Sequence, residues 1–188
     1  MPAYAALLRA VNVGGTGKLP MSELQAMCEA EGYAGVRTYI ASGNVVFHSD
    51  LGEAQVKAAL ERRLQAYAGK PVRVLVRTAA ELARVLAANP FADEAPSRTL
   101  ALFLDGAPPP DALDTVSHQH GERLARGERE IYVAYGAGMA DSRLRVPAGE
   151  AGTGRNMNTV ARLAAMAAAL DAAPPAPPSR PARARRSG

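Results

Sequence analysis

The sequence predicts an α+β protein: two ferredoxin-like (β-α-β-β-α-β, α/β plait) subdomains with antiparallel sheets, then a disordered C-terminal tail. Three observations predict it. Strand-like and helix-like apolar periods alternate in the order β-α-β-β-α-β over residues 3–77. A less regular version of the same order occupies residues 99–171. The end, AAPPAPPSRPARARRSG, is rich in Pro, Ala and Arg and cannot bury a core. The expected divisions are a first subdomain at 1–77, a linker helix with the second subdomain at 78–171, and the tail at 172–188.

Tyr4 to Val13 reads as a buried strand rich in Leu, Val and Ala, and Gly14 to Lys18 as a loop. Pro20 suits the first turn of a helix whose stripe is Met21, Leu24, Met27 and Cys28, with Gly32 as its stop. The segment VRTYIASGNVVFHS holds two β-rich runs around Ser42-Gly43-Asn44, residues that tolerate positive φ, and predicts a hairpin. Asp50 and Glu53 are spaced as a capping box for a helix carrying Val56, Leu60, Leu64 and Tyr67 and ending at Gly69. Val72 to Arg77 is the fourth strand. A second capping box, Thr78 with Glu81, opens a helix with Leu82, Val85 and Leu86 that Asn89-Pro90 stops.

The later elements are a strand at Leu100 to Leu104, a turn at Pro108 to Pro110 and a short helix with Leu113 and Val116. A hairpin turning near Gly127 follows. A helix from about Asn156 to Leu170 is striped by Val160, Leu163, Ala167 and Leu170. No residue-level repeat relates the two halves, so any duplication is one of topology.

Composition places the chain among ordinary globular proteins, with 48% hydrophobic and 21% charged residues. The longest apolar run, Leu163 to Leu170, is too short for a bilayer, so no membrane partner is expected. No basic n-region precedes the apolar Ala3 to Leu8, which excludes a signal-peptide reading, and a lone Cys28 excludes an internal disulfide. A cytoplasmic location is the expectation. Four of the 22 basic residues lie in the tail and no acid does, so the body balances its 18 acids one for one. Nucleic-acid binding is therefore not expected of the folded body; weak association through the basic tail is an alternative.

The segments LLRAVNVGGTGKLPMSEL, VRTYIASGNVVF, NPF, EIYVAY and GRNMNTVARL, in this order, resemble the bacterial family called domain of unknown function 1697. The resemblance covers about residues 3–170 and implies two ferredoxin-like subdomains in one chain; it implies no activity. The family's usual Arg-Asn-Trp-Asn-Thr is here Arg155-Asn156-Met157-Asn158-Thr159. Methionine can fill the same apolar gap but supplies no ring for stacking.

Two glycine-rich stretches approach a phosphate loop. In VNVGGTGKL the first required glycine is Asn12 and the hydroxyl is replaced by Leu19; in GEAGTGRN the Lys-Ser/Thr pair is Arg155-Asn156. Neither is a Walker A motif. Both still lead a glycine loop and a cation, Lys18 or Arg155, toward a helix start, which favours an anion. The expected ligand site gathers Arg9, Asn12, Gly14, Gly15, Lys18, Ser42, Asn44, Arg155, Asn156, Asn158 and Thr159 from loops of both subdomains around a small anionic or phosphorylated ligand. The competing reading is that the glycines turn the chain and the polar residues cap helices. Arg9, beside Leu7 and Leu8, must be paired with a carboxylate or line a polar cleft.

No residues are assigned to catalysis, no cofactor is expected and no metal ligand set is found; His118-x-His120 lacks further ligands. Cys28 reads as a core residue and His48 as exposed. An RNA-recognition platform is excluded because Val45-Val46-Phe47 offers one aromatic and no basic residue. The alternative from another class is a non-catalytic protein-interaction module that presents a sheet edge or face.

Overall fold

A computed structural model describes residues 1–14 and 17–173. The expected tail, apart from residues 172 and 173, and the expected site residue Gly15 lie outside the described residues.

The first sheet holds β1 (Ala3–Leu8), β2 (Ala34–Thr38), β3 (Asn44–His48) and β4 (Val74–Thr78) in the order β2-β3-β1-β4, with every pair antiparallel. The second holds β5 (Thr99–Phe103), β6 (Arg123–Arg126), β7 (Glu130–Ala134) and β8 (Thr153–Asn156) in the order β6-β7-β5-β8, also antiparallel. The two orders are the same permutation, as expected of two plaits. Their helices differ. Helices α1 (Met21–Ala30) and α2 (Glu53–Ala68) cover one face of the first sheet. Helices α3 (Ala79–Ala87) and α4 (Met157–Ala172) pack on each other between the sheets.

Strand β1 explains how both faces of one sheet are buried. Ala3, Ala5 and Leu7 point into the central core beside α3 and α4, and Tyr4, Ala6 and Leu8 into the core under α1 and α2. Period-2 alternation between two apolar layers yields an unbroken apolar run. Met157 is buried in the central core, so it fills space there.

Among the described residues, the second sheet has no α-helix on its outer face. Ile131 and Val133 are covered by Ala112, Leu113, Leu144 and Val146 from irregular segments. The short helix expected around Leu113 and Val116 is a series of turns instead. Pro108 to Pro110 supply no backbone donors, and the few residues after them cannot sustain a nucleus.

Other boundaries shift for local reasons. β1 ends at Leu8 rather than Val13 because Ala10 and Asn12 take positive φ, 53° and 54°. The cap of α2 is Gly52, whose N–H donates to Gln55 Oε1 at 3.1 Å, rather than Asp50. The Thr78–Glu81 capping box forms as expected. The hairpin turn at 42–44 also forms, and Gly43 is required there twice over. Its φ is +88°, and a Cβ would lie 2.6 Å from Val11 Cγ2 and 2.9 Å from Leu8 Cβ. His48 is buried, with its ring nitrogens 3.2 Å from the Met1 carbonyl and 2.9 Å from that of Leu170. No described helix is long and apolar enough to cross a membrane.

Candidate functional site

Strand β8 was not expected, because Thr153-Gly154-Arg155-Asn156 has no β-rich pattern. Pairing with β5 aligns Arg155 with Ala101, and the side chain turns into the interior. A guanidinium has five N–H donors. Nε donates to Asn44 Oδ1 at 2.7 Å, Nη1 to Thr153 Oγ1 at 2.8 Å and the Gly154 carbonyl at 2.9 Å. Nη2 donates to the carbonyls of Leu8 at 2.7 Å and Ser42 at 3.0 Å. All five directions are thus taken by protein acceptors, none of them a carboxylate. Burial pushes the Arg155 pKa down to about 10, so it stays charged near neutrality. It is a cation solvated by backbone dipoles that ties the second sheet to the end of β1 and the first hairpin.

Asn44 completes this junction: its Nδ2 donates to the Tyr39 carbonyl and to Ser42 Oγ, both at 3.0 Å. Asn156 caps α4, accepting from the Thr159 N–H at 2.9 Å; Thr159 is buried and Asn158 exposed. Arg155 therefore meets Asn44 and the Ser42 carbonyl through hydrogen bonds within the protein.

The glycine loop lies at the surface end of the same junction. Asn12 holds it: Nδ2 donates to the carbonyls of Leu19 at 2.9 Å and Ala41 at 2.8 Å, and Oδ1 accepts from the Leu19 N–H at 2.6 Å. Of the four described non-glycine residues with positive φ, three (Ala10, Asn12 and Ile40) sit in the two loops Asn12 joins. Such conformations cost about 1 kcal/mol or more each and gather where surrounding structure dictates backbone shape.

Arg9 follows β1 and is exposed, which resolves its place beside Leu7 and Leu8 without an internal carboxylate. β1 and β4 pair Leu8 with Val74, and the next step brings the Arg9 N–H to the Arg73 carbonyl at 2.9 Å. Two arginines are thereby cross-strand neighbours, an arrangement that like-charge repulsion disfavours. Both line a cleft of about 490 Å³ with Lys18 from the glycine loop and Lys70 from the α2–β4 link. Its walls are Val11, Leu19, Leu64, Tyr67, Ala68, Pro71 and Val72. Among the described residues, no acidic side chain lines it. Among the described residues, none of the four cations makes an ion pair.

Arg9 and Lys18 were legible in the sequence as candidates; Lys70 and Arg73 were not. The available signal was the cationic segment Lys70-Pro71-Val72-Arg73 preceding a strand paired with the one that ends before Arg9. Asn12, Gly14 and Lys18 also line a neighbouring groove with Met21 and Ala41, which shares Lys18 and Leu19 with the cleft. The cleft is built entirely from residues 9–73, whereas Arg155, Asn156, Asn158 and Thr159 do not line it.

Comparisons with known proteins agree with this fold. The family described as "Protein of unknown function (DUF1697)" matches residues 1–132. No curated protein matches. Among solved structures, the conserved bacterial protein SP0830 from Streptococcus pneumoniae superposes with a TM-score of 0.74 at 24% identity, over 88% of this chain and 98% of that one. That likeness concerns the fold.

Proposed function

The chain belongs to the DUF1697 family, and we propose that it binds a small anionic ligand in the cleft formed by Arg9, Lys18, Lys70 and Arg73. One observation carries the reading: Arg9 and Arg73 are paired through their backbone just beyond β1 and β4, two lysines join them in the lining, and among the described residues no carboxylate lines the space. An anion there relieves a repulsion built into the backbone register, and arginine offers it paired hydrogen bonds. Buried Arg155, which donates to the Leu8 carbonyl one residue before Arg9, adds uncompensated positive charge nearby. The reading shifts the site from between the two halves into the first half.

Calorimetric titration with inorganic pyrophosphate at low ionic strength tests it. Arg73→Glu turns a like-charge pair into an opposite one. The variant without ligand should be more stable by about 0.2–1 kcal/mol, the range for cross-strand charge pairs. Its pyrophosphate affinity should fall about tenfold or more, because a charge-assisted contact becomes a repulsion. Equal binding by wild type and variant would remove the cleft from consideration.

A further inference from the structure

We infer that the anion is the phosphate ester of an apolar body, an alkyl or aryl phosphate, and not a sugar phosphate or a nucleotide. This rests on the anion reading above and narrows it by what the walls lack. Among the described residues, the lining contains no Asn, Gln, Ser, Thr, Asp, Glu or His side chain; its only neutral polar side-chain group is the Tyr67 hydroxyl. Sites that select sugars or bases place hydrogen-bonding groups against their hydroxyls and edges, because an enclosed polar group without a partner is penalised. This cleft has the reverse chemistry. Its charges are supplied by four flexible cations, and between them lie Val11, Leu19, Leu64 and Val72.

Size points the same way. A volume of about 490 Å³ falls in the range of organic-ligand pockets and leaves most of the space to the body once a phosphate group is placed. Tyr67, on the last turn of α2, is 46% exposed, so its ring is available to cover an apolar surface. The neighbouring groove that shares Lys18 and Leu19 with the cleft is lined by Pro20 and Met21, apolar residues against which a longer body could lie.

Calorimetry with the full chain tests the inference. Ethyl, butyl and hexyl phosphate should bind progressively tighter, by up to about fourfold for each methylene buried. Glucose 6-phosphate, of equal charge but covered in hydroxyls, should bind about tenfold more weakly than hexyl phosphate or worse. Tyr67→Ala should weaken hexyl phosphate by a larger factor than inorganic pyrophosphate, and an equal loss for both would refute the ring's contact with an apolar body. If pyrophosphate binds but the alkyl series is flat, or glucose 6-phosphate matches hexyl phosphate, the apolar body is refuted while the anion site stands. If neither pyrophosphate nor any alkyl phosphate binds, both readings fall.

Discussion

The two sheets hold each other by matching clasps set in opposite electrical surroundings. Arg77 on β4 pairs with Ala5 in the first sheet, as Arg155 on β8 pairs with Ala101 in the second. Each arginine immediately precedes the N-cap of a central helix, Thr78 for α3 and Asn156 for α4. Each guanidinium reaches the other sheet: Arg77 donates to the carbonyls of Leu104 and Arg129, Arg155 to those of Leu8, Ser42 and Gly43. The backbone beneath also matches, with Leu8 N–H on the Gly43 carbonyl at 2.8 Å and Leu104 N–H on the Arg129 carbonyl at 2.9 Å.

Their neighbours differ. Arg77 sits near a network in which Arg129 bonds Glu53 at 2.6 Å and Glu81 at 2.9 Å. Burial lowers the Arg77 pKa and the Arg129 charge lowers it further, while nearby carboxylates oppose both. Among the described residues, Arg155 has only Asn44, Thr153 and carbonyls as partners. The residue after the clasped carbonyl follows suit. After Leu104 comes Asp105, ion-paired to Lys57 at 2.7 Å; after Leu8 comes Arg9, paired through its backbone with Arg73. The lesson is that backbone geometry repeats while charge does not, and the excess positive charge collects at the first-half end where the cleft opens.

The largest effect should come from cutting the clasps. Arg155→Met strands Asn44 Oδ1 and buried carbonyls, and should destabilise by about 3 kcal/mol or more. Arg77→Met should cost less, because fewer acceptors are lost and the Arg129 network remains. Chemical denaturation of both variants checks the order, and equal losses would break the comparison.

Next is Gly43, whose counterpart in the second hairpin is Arg129. Gly43→Ala should cost about 2 kcal/mol from its left-handed backbone and its contacts with Val11 and Leu8. A wild-type melting temperature in this variant would show that the first turn is as permissive as the second.

The smallest effect concerns acid. Burial works to raise the Glu81 pKa, but the Thr78 N–H, Arg129 and the Thr78 hydroxyl together outweigh it and hold the carboxyl below its ordinary 4.5. A carboxylate with a depressed folded pKa stabilises above the unfolded value, and the contribution disappears as pH falls through the folded one. Glu81→Gln should therefore cost about 1 kcal/mol near neutrality, with the gap to wild type closing below about pH 4.5. A gap that is constant with pH would assign the loss to packing.

Local pattern carried much of the fold. Among the described residues, period-2 and period-3.6 stripes located seven of the eight strands and all four α-helices, and a capping box marked the start of α3. β8 escaped because its four polar residues acquire strand geometry only by pairing with β5. The site was legible in part for the same reason. Arg9 stands out beside Leu7 and Leu8, and Asn12 and Lys18 beside glycines, whereas Lys70 and Arg73 look like an ordinary strand entry until antiparallel register brings Arg73 to Arg9. Arg155 stood out as a cation on a glycine loop, yet nothing local says that its donors turn inward.

The sequence by itself determined the order of elements and the residues that cap and turn them, because those depend on hydrogen bonds and torsions within a few positions. Only the tertiary structure decided which cations are enclosed by protein acceptors and which line the cleft. That choice depends on which carbonyls and carboxylates lie within about 3 Å of each guanidinium, and those partners come from segments far apart in the chain.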